Sequence, residues 1–141
     1  MNTLTEYEMQ MIEGAARALG YKPFRYTVRD DTRIHIQTTG PFPSRHWDPL
    51  DPARHDFFDV LTFLAKHDSV EIVAESRKGS VAGVYAAVHH PRFGAPLAAV
   101  ASCENFSIPK AFCVALTRAA QKFHNEVKHD DSIQHESADA S

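Results

Sequence analysis

The sequence predicts an α+β fold, a layered sandwich in which a mainly antiparallel sheet of four to five strands is covered by three helices in the order α-β-β-α-β-β-α. Three observations favour this class. Apolar residues recur at helical spacing in three separate segments. Two pairs of strand-like segments lie between them, and turn residues join each pair. At 141 residues, the chain has the length of one domain with its own core.

The first helix is predicted from about Thr5 to Leu19. Thr3 with Glu6 and Thr5 with Glu8 both have the spacing of a capping box, and Gly20 is a typical residue just after a helix end. The apolar residues between them recur on one face: Met9, Ile12, Ala15, Ala16 and Leu19. We expect that face to be buried.

The first hairpin is predicted from two alternating segments, residues 24–28 and 33–37. Their apolar residues share one face only if Val28 lies opposite Ile34, which leaves residues 30–32 as a three-residue loop. The other face of this hairpin then carries a basic set: Arg25, Arg29, Arg33 and His35.

A loop and a second helix follow. Residues 38–52 contain four prolines and a glycine, which is typical of a loop. Asp51 and Pro52 fit an N-cap followed by proline at the first helical position, so we expect the helix from there to about Lys66. Its apolar residues extend beyond a single stripe, which indicates cover on more than one side.

The second hairpin and the last helix complete the core. Residues 70–75 and 80–89 are strand-like and are joined by a turn at 77–79. Small and apolar residues on both faces of the second segment predict a central strand. Residues 97–101 are compatible with one more short strand, and a third helix is expected to begin at Ser107.

The chain divides into a domain at 1–127 and a disordered acidic tail at 128–141. The first 127 residues hold 14 Lys and Arg and 14 Asp and Glu, so the net charge of -3 belongs to the tail. Nucleic-acid binding relies on basic residues that neutralise phosphates. A neutral domain therefore weakens the case for a polyanionic partner without excluding one.

Three short motifs stand out: MIEGAARALGY at 11–21, WDPL at 47–50 with LTFLA at 61–65, and IPKAFCVAL at 108–116. They resemble the phage ABA sandwich domain, a family of small phage and prophage proteins. Family members typically show an Ala-Ala-Gly first helix, a Trp-Asn-Pro-Leu turn and a Pro-x-Ala-Ile-Cys-x-Ala-x-Leu last helix. Here Asp48 stands in place of the Asn and Phe112 in place of the Ile.

The resemblance spans roughly residues 8–124 and implies a similar layered fold. It also implies a phage-encoded protein that works in a bacterial cytoplasm. The family carries no agreed activity and no catalytic residues, so the resemblance assigns none to this chain.

The two cysteines, Cys103 and Cys113, form neither a CxxC pair nor the framework of a disulfide-rich secreted domain. The first residues lack the basic start and apolar run of a signal peptide, and no segment approaches the roughly 18 apolar residues of a membrane span. We therefore expect a cytoplasmic protein with no membrane contact.

Nine histidines raise the question of a metal site. His89 and His90 are adjacent at a strand end, so their rings point to opposite faces, and Cys103 or His35 would have to complete a zinc site with one of them. The spacing of a strong zinc motif is absent. The sequence therefore predicts no metal ligand and no cofactor.

Two nucleophile patterns are also weak. Ser107 and Lys110 match an SxxK pattern, but the accompanying elements of penicillin-binding enzymes are absent, and an N-cap role for Ser107 is favoured. Cys103 precedes a helix start, whereas Cys113 lies on an alanine-rich helix that favours core packing. We expect no catalytic residue, and the chain is not predicted to be an enzyme.

The favoured hypothesis is a noncatalytic phage or prophage accessory protein that binds a host or defence protein as an inhibitor or regulator. A homodimer is compatible with it. Proline-rich loops lower the ordering cost of binding, and they carry residue types enriched at interfaces. The candidate interaction residues are Phe42, His46, Trp47, Arg92 and Phe93. Core packing is the favoured alternative for Trp47.

The alternative is a nucleic-acid-associated protein that uses the basic face of the first hairpin. Its candidate residues are Arg25, Arg29, Arg33 and His35. A small metal-dependent enzyme is a third hypothesis and ranks below both.

Overall fold

The computed structural model describes residues 3–38, 40, 43–66, 70–89 and 97–140, and its elements confirm the α+β class. In chain order, they are α1 (Glu6–Ala18), β1 (Pro23–Val28), β2 (Asp31–Gln37), β3 (Ser44–His46), α2 (Asp56–Lys66), β4 (Val70–Arg77), β5 (Ser80–Val88), β6 (Leu97–Ser102) and α3 (Ile108–Ala140). The order of one helix and three strands thus occurs twice before α3.

The described parts of the chain contain six strands instead of the expected four to five. These strands form two antiparallel sheets rather than one. The sheet orders are β1-β2-β3 and β4-β5-β6. The uncounted strand is β3, which lies within the predicted loop and pairs with β2 through His46 opposite His35. A three-residue strand between prolines has too little alternation to be recognised from sequence. The central position predicted for β5 is confirmed.

β1 and β2 form the predicted hairpin, but the predicted register is wrong. Val28 pairs with Asp31 and not with Ile34, so the turn consists of Arg29 and Asp30 alone. Both turn residues have a positive φ, 51° and 65°. This is the backbone of a two-residue type I′ turn, whose twist matches that of the flanking strands. The turn therefore sets the register, and the apolar residues of the two strands lie on opposite faces.

The first helix is capped as predicted, whereas the second begins later than predicted. Thr5 Oγ1 accepts a hydrogen bond from Glu8 N, and Glu8 Oε1 accepts one from Thr5 N. Asp51, the expected N-cap of α2, instead accepts hydrogen bonds from Ala53 N and Arg54 N. These bonds close a turn ahead of α2.

The core joins both sheets to all three helices. α1 contacts β1 and β2, while α3 contacts both other helices and strands β5 and β6. α1 and α3 approach closely at Gly14, where an added Cβ would lie 2.8 Å from Cγ of Gln121. The face of α3 that permits this packing consists of small buried residues: Ala111, Ala115, Ala119 and Ala120.

The helix α3 continues to Ala140. Residues 128–140 contain no proline or glycine that would end a helix. The division into a domain at 1–127 and a tail at 128–141 stays a prediction.

Replacing the turn residues of the first hairpin by Arg29→Asn with Asp30→Gly should raise the free energy of unfolding by about 1 kcal/mol, because Asn and Gly adopt positive φ at lower cost. Urea unfolding followed by circular dichroism measures the change. The matched control, Arg29→Ala with Asp30→Ala, disfavours positive φ and should lower stability. A control as stable as the Asn-Gly variant would contradict this turn.

Candidate functional site

A buried tryptophan fixes the turn between β3 and α2. Trp47 is fully buried and packs edge-on against Tyr21, with ring centroids 5.6 Å apart. Its Nε1 donates a hydrogen bond to Asp59 Oδ2 at 3.0 Å. A buried indole N–H needs such an acceptor. The ring and the hydrogen bond together hold residues 47–55 against α2.

The carboxylate of Asp56 connects this turn to its neighbours. Its oxygens accept hydrogen bonds from Arg45 Nη1 at 3.1 Å, Arg54 Nε at 2.8 Å and Asp48 N at 2.9 Å. Burial by itself would raise the pKa of Asp56, but the bonds from Asp48 N and the two arginines hold it below its usual value. The carboxylate thus accepts hydrogen bonds from a side chain of β3, a side chain of the turn and a backbone N–H of the turn.

Of the five predicted interaction residues, the structure describes His46 and Trp47. Phe42, Arg92 and Phe93 lie outside the described residues. Trp47 takes the core position that was its favoured alternative. Its assignment to an interaction surface is therefore corrected, because a fully buried ring does not reach a partner. His46 is partly buried and stacks on another histidine.

The stacked pair is His35 and His46, whose ring centroids lie 5.8 Å apart on neighbouring strands. Burial lowers the pKa of both imidazoles, and the nearby positive charge of Arg54 lowers it further. Within the described ranges, no three His, Cys, Asp or Glu side chains are grouped as metal ligands would be. Three of the candidate zinc ligands, His35, His89 and Cys103, lie within those ranges, whereas His90 lies outside them.

The four basic residues of the first hairpin do not share a face. Arg25 lies on the same face as Ile34, whereas Arg33 and His35 lie on the opposite one, and Arg29 is in the turn. Arg25 also forms two ion pairs of 2.8 Å with carboxylates of α1, those of Glu6 and Glu13. The predicted basic face is wrong because it depended on the predicted register.

An apolar groove of about 410 Å³ lies where β4 and β5 meet the first turns of α2 and α3. We call it the apolar groove, and its principal lining residues are Phe57, Ile72, Ala74, Val84, Ile108 and Phe112. Ile108 is 51% exposed at its rim. Cys113 also lines the groove, and burial raises the pKa of its thiol to about 11. Burial thus disfavours the thiolate, which is the form in which a cysteine acts as a nucleophile.

A polar cleft of about 650 Å³ lies on the other side of the first turn of α3. We call it the polar cleft, and the residues that matter here are Leu4, Arg33, Asp48, Asp51, Phe106 and Lys110. Pro52 lines both sites. Ser107 Oγ accepts a hydrogen bond from Lys110 N at 3.3 Å, which is the predicted N-cap contact. One helical turn thus separates an apolar site from a charged one.

Sequence patterns did not identify either site, because each is assembled from separate segments. Ile72, Val84 and Phe112 all follow patterns typical of a core. The only local signal was the excess of apolar residues on α2. The described part of the chain leaves Phe58 of that helix 50% exposed.

No protein-family model, curated protein or solved structure matches this chain. The resemblance to the phage ABA sandwich domain therefore stays a prediction. Among the described residues, no helix combines the length and the apolar character needed to cross a membrane.

Replacing Asp48 by Asn should stabilise the protein increasingly as the pH rises from about 4 to 7. Burial raises the pKa of Asp48, so the folded state binds its proton more tightly than the unfolded state does, and stability is lost as the pH rises through the folded-state pKa. Asn keeps the acceptor for Leu50 N, which Asp48 Oδ1 now provides at 3.0 Å. Urea unfolding at several pH values measures the difference between the two proteins. A constant difference across this range would contradict the prediction.

Proposed function

We propose that this chain is a noncatalytic binding protein that holds an apolar segment of a partner protein in the apolar groove. The observation that carries this proposal is an open, largely apolar groove on the surface of a folded domain. Burying one large apolar side chain there would contribute about 2 kcal/mol, and Ile108 at the rim would become buried with it.

The neighbouring strand supports an extended segment as the occupant. Among the described residues, β4 pairs with β5 alone, so no described strand pairs with its second edge. Such an edge can pair with an extended chain, while adjacent pockets take alternate side chains. Ile72 and Ala74 of β4 supply the groove wall at that edge.

The absence of catalysis is part of the same proposal. Three groups with possible chemical roles are engaged elsewhere: Asp56 is held by its three donors, Ser107 caps α3, and burial disfavours the thiolate of Cys113. The partner that we propose is a bacterial host or defence protein, which the chain would inhibit or regulate. That identity rests on the resemblance to phage proteins, and a homodimer remains compatible with it.

Capture from a bacterial lysate tests the groove. The immobilised chain should retain a partner in a defined stoichiometry, and Ile108→Glu should lose it, because a carboxylate at the rim would have to be desolvated on binding. The matched control is Val73→Glu. Val73 is 50% exposed, but it lies on the opposite face of β4 from the groove residues Ile72 and Ala74.

The proposal predicts that the Val73→Glu chain retains the same protein as the unmodified chain. Mass spectrometry of the retained material identifies it. Equal retention by Ile108→Glu, or no retained protein at defined stoichiometry, would overturn the role of the groove.

A second candidate function is binding of single-stranded nucleic acid on the first sheet, and one observation favours it. Tyr26, Phe24 and His35 form a row of rings, with centroids 4.8 Å apart for Tyr26 and His35 and 5.8 Å for Phe24 and His35. Tyr26 is 50% exposed, and exposed aromatic rings on a sheet can stack on bases.

Fluorescence anisotropy with a labelled oligothymidine tests this candidate. Binding at low salt should weaken about tenfold in Tyr26→Ala, because one stacked base is lost, and should remain in Tyr7→Ala, which removes a similarly exposed ring from α1. No binding at low salt, or equal binding by both variants, would exclude the row as a nucleic-acid site.

A further inference from the structure

A carboxylate oxygen at the base of the polar cleft lacks a hydrogen-bond donor. Asp48 is only 5% exposed. One of its oxygens, Oδ1, accepts from Leu50 N, whereas no donor among the described residues reaches Oδ2. Because Asp48 lines the cleft and Oδ2 is not among the buried unpartnered atoms, that oxygen is accessible from the cleft. A carboxylate oxygen that is open to the cleft can accept a charge-assisted hydrogen bond from the ammonium group of a ligand.

A second group of opposite charge lines the same cleft. Lys110 donates through its backbone N to Ser107, but its ammonium group forms no ion pair with any described residue. Asp51 and Glu8 add further carboxylates to the lining, and Arg33, which forms an ion pair with Asp31, adds a second cation. The cleft therefore offers an acceptor for an ammonium group and a donor for a carboxylate.

The rest of the lining indicates what lies between these two groups. Leu4, Pro52 and Phe106 bring apolar surface to the cleft. A cleft of about 650 Å³ has room for an apolar or aromatic substituent beside the charged groups. This combination matches a molecule with two opposite charges and one apolar side chain.

We propose that the polar cleft binds a small zwitterion of the α-amino acid class, with its ammonium group on Asp48, its carboxylate on Lys110 and an apolar side chain on Leu4 and Phe106. Nothing in this site depends on a protein partner in the apolar groove. The ligand ammonium supplies a donor for Asp48 Oδ2, and the ligand carboxylate supplies Lys110 with a direct ion pair in addition to its longer-range attraction to Asp48.

Isothermal titration calorimetry with three probes tests the proposal. L-Phenylalanine carries both charges, phenethylamine only the ammonium group, and 3-phenylpropionate only the carboxylate. We expect phenylalanine to bind and each of the other two to bind about tenfold more weakly, since each loses one charge-assisted hydrogen bond.

Two variants separate the roles of the charged residues. Asp48→Asn should weaken the binding of phenylalanine and phenethylamine about tenfold and leave the binding of 3-phenylpropionate unchanged. Lys110→Gln should instead weaken the binding of phenylalanine and 3-phenylpropionate. The matched control is Lys78→Gln, in the turn between β4 and β5, which should bind all three probes as the unmodified chain does.

Asn at position 48 retains the acceptor for Leu50 N, so thermal unfolding should show a folded variant. No heat from phenylalanine at about 10 mM, or equal binding by Asp48→Asn, would overturn the proposal. Loss of phenylalanine binding in Ile108→Glu with retention in Asp48→Asn would place the amino acid in the apolar groove and overturn it as well. Because Ile108→Glu leaves the cleft intact, failure of the groove proposal does not affect this test.

Discussion

The buried carboxylate of Asp56 is the constraint on which both candidate sites depend. A charge removed from water is tolerated only when donors replace its hydration, and Asp56 has three, from Arg45 of β3, Arg54 and the backbone of Asp48. Arg54 also donates to the carbonyl of His46 at 3.0 Å. The turn therefore has one arrangement in which every partner is satisfied. That arrangement places Asp48 in the cleft and Pro52 between the cleft and the groove.

The local parts of the fold were predictable, and the nonlocal ones were not. The capping box depends on residues three apart, and of the two such pairs in the sequence the structure uses Thr5 with Glu8. The turn predicted at 77–79 lies at Lys78 and Gly79, because Arg77 pairs with Ser80. The first hairpin followed its turn rather than its apolar residues, because Arg29 and Asp30 adopt positive φ without a glycine to signal it. The late start of α2 depends on Asp56 and Asp48, eight residues apart.

The candidate sites also depend on residues that are far apart in the sequence. Single residues such as Trp47 or Arg25 suggested surfaces, yet each is used within the fold, one in the core and one in ion pairs with α1. The groove and the cleft are instead defined by where separate segments meet at the first turn of α3. Ile108 and Lys110 lie only two positions apart and line different sites, because successive residues of a helix point to different sides. Sequence patterns do not predict that these separate segments meet at the first turn of α3.

Amide hydrogen exchange of Asp56→Ala measures most directly whether this carboxylate organises the turn. We expect a loss of about 3 kcal/mol in the free energy of unfolding, as for a broken buried ion pair, together with faster exchange at the amides of residues 47–55. The control is Glu75→Ala, which removes an exposed ion pair of 3.7 Å with Arg77 and should change neither quantity measurably. An Asp56→Ala protein indistinguishable from this control in stability and in exchange would contradict the central role of Asp56.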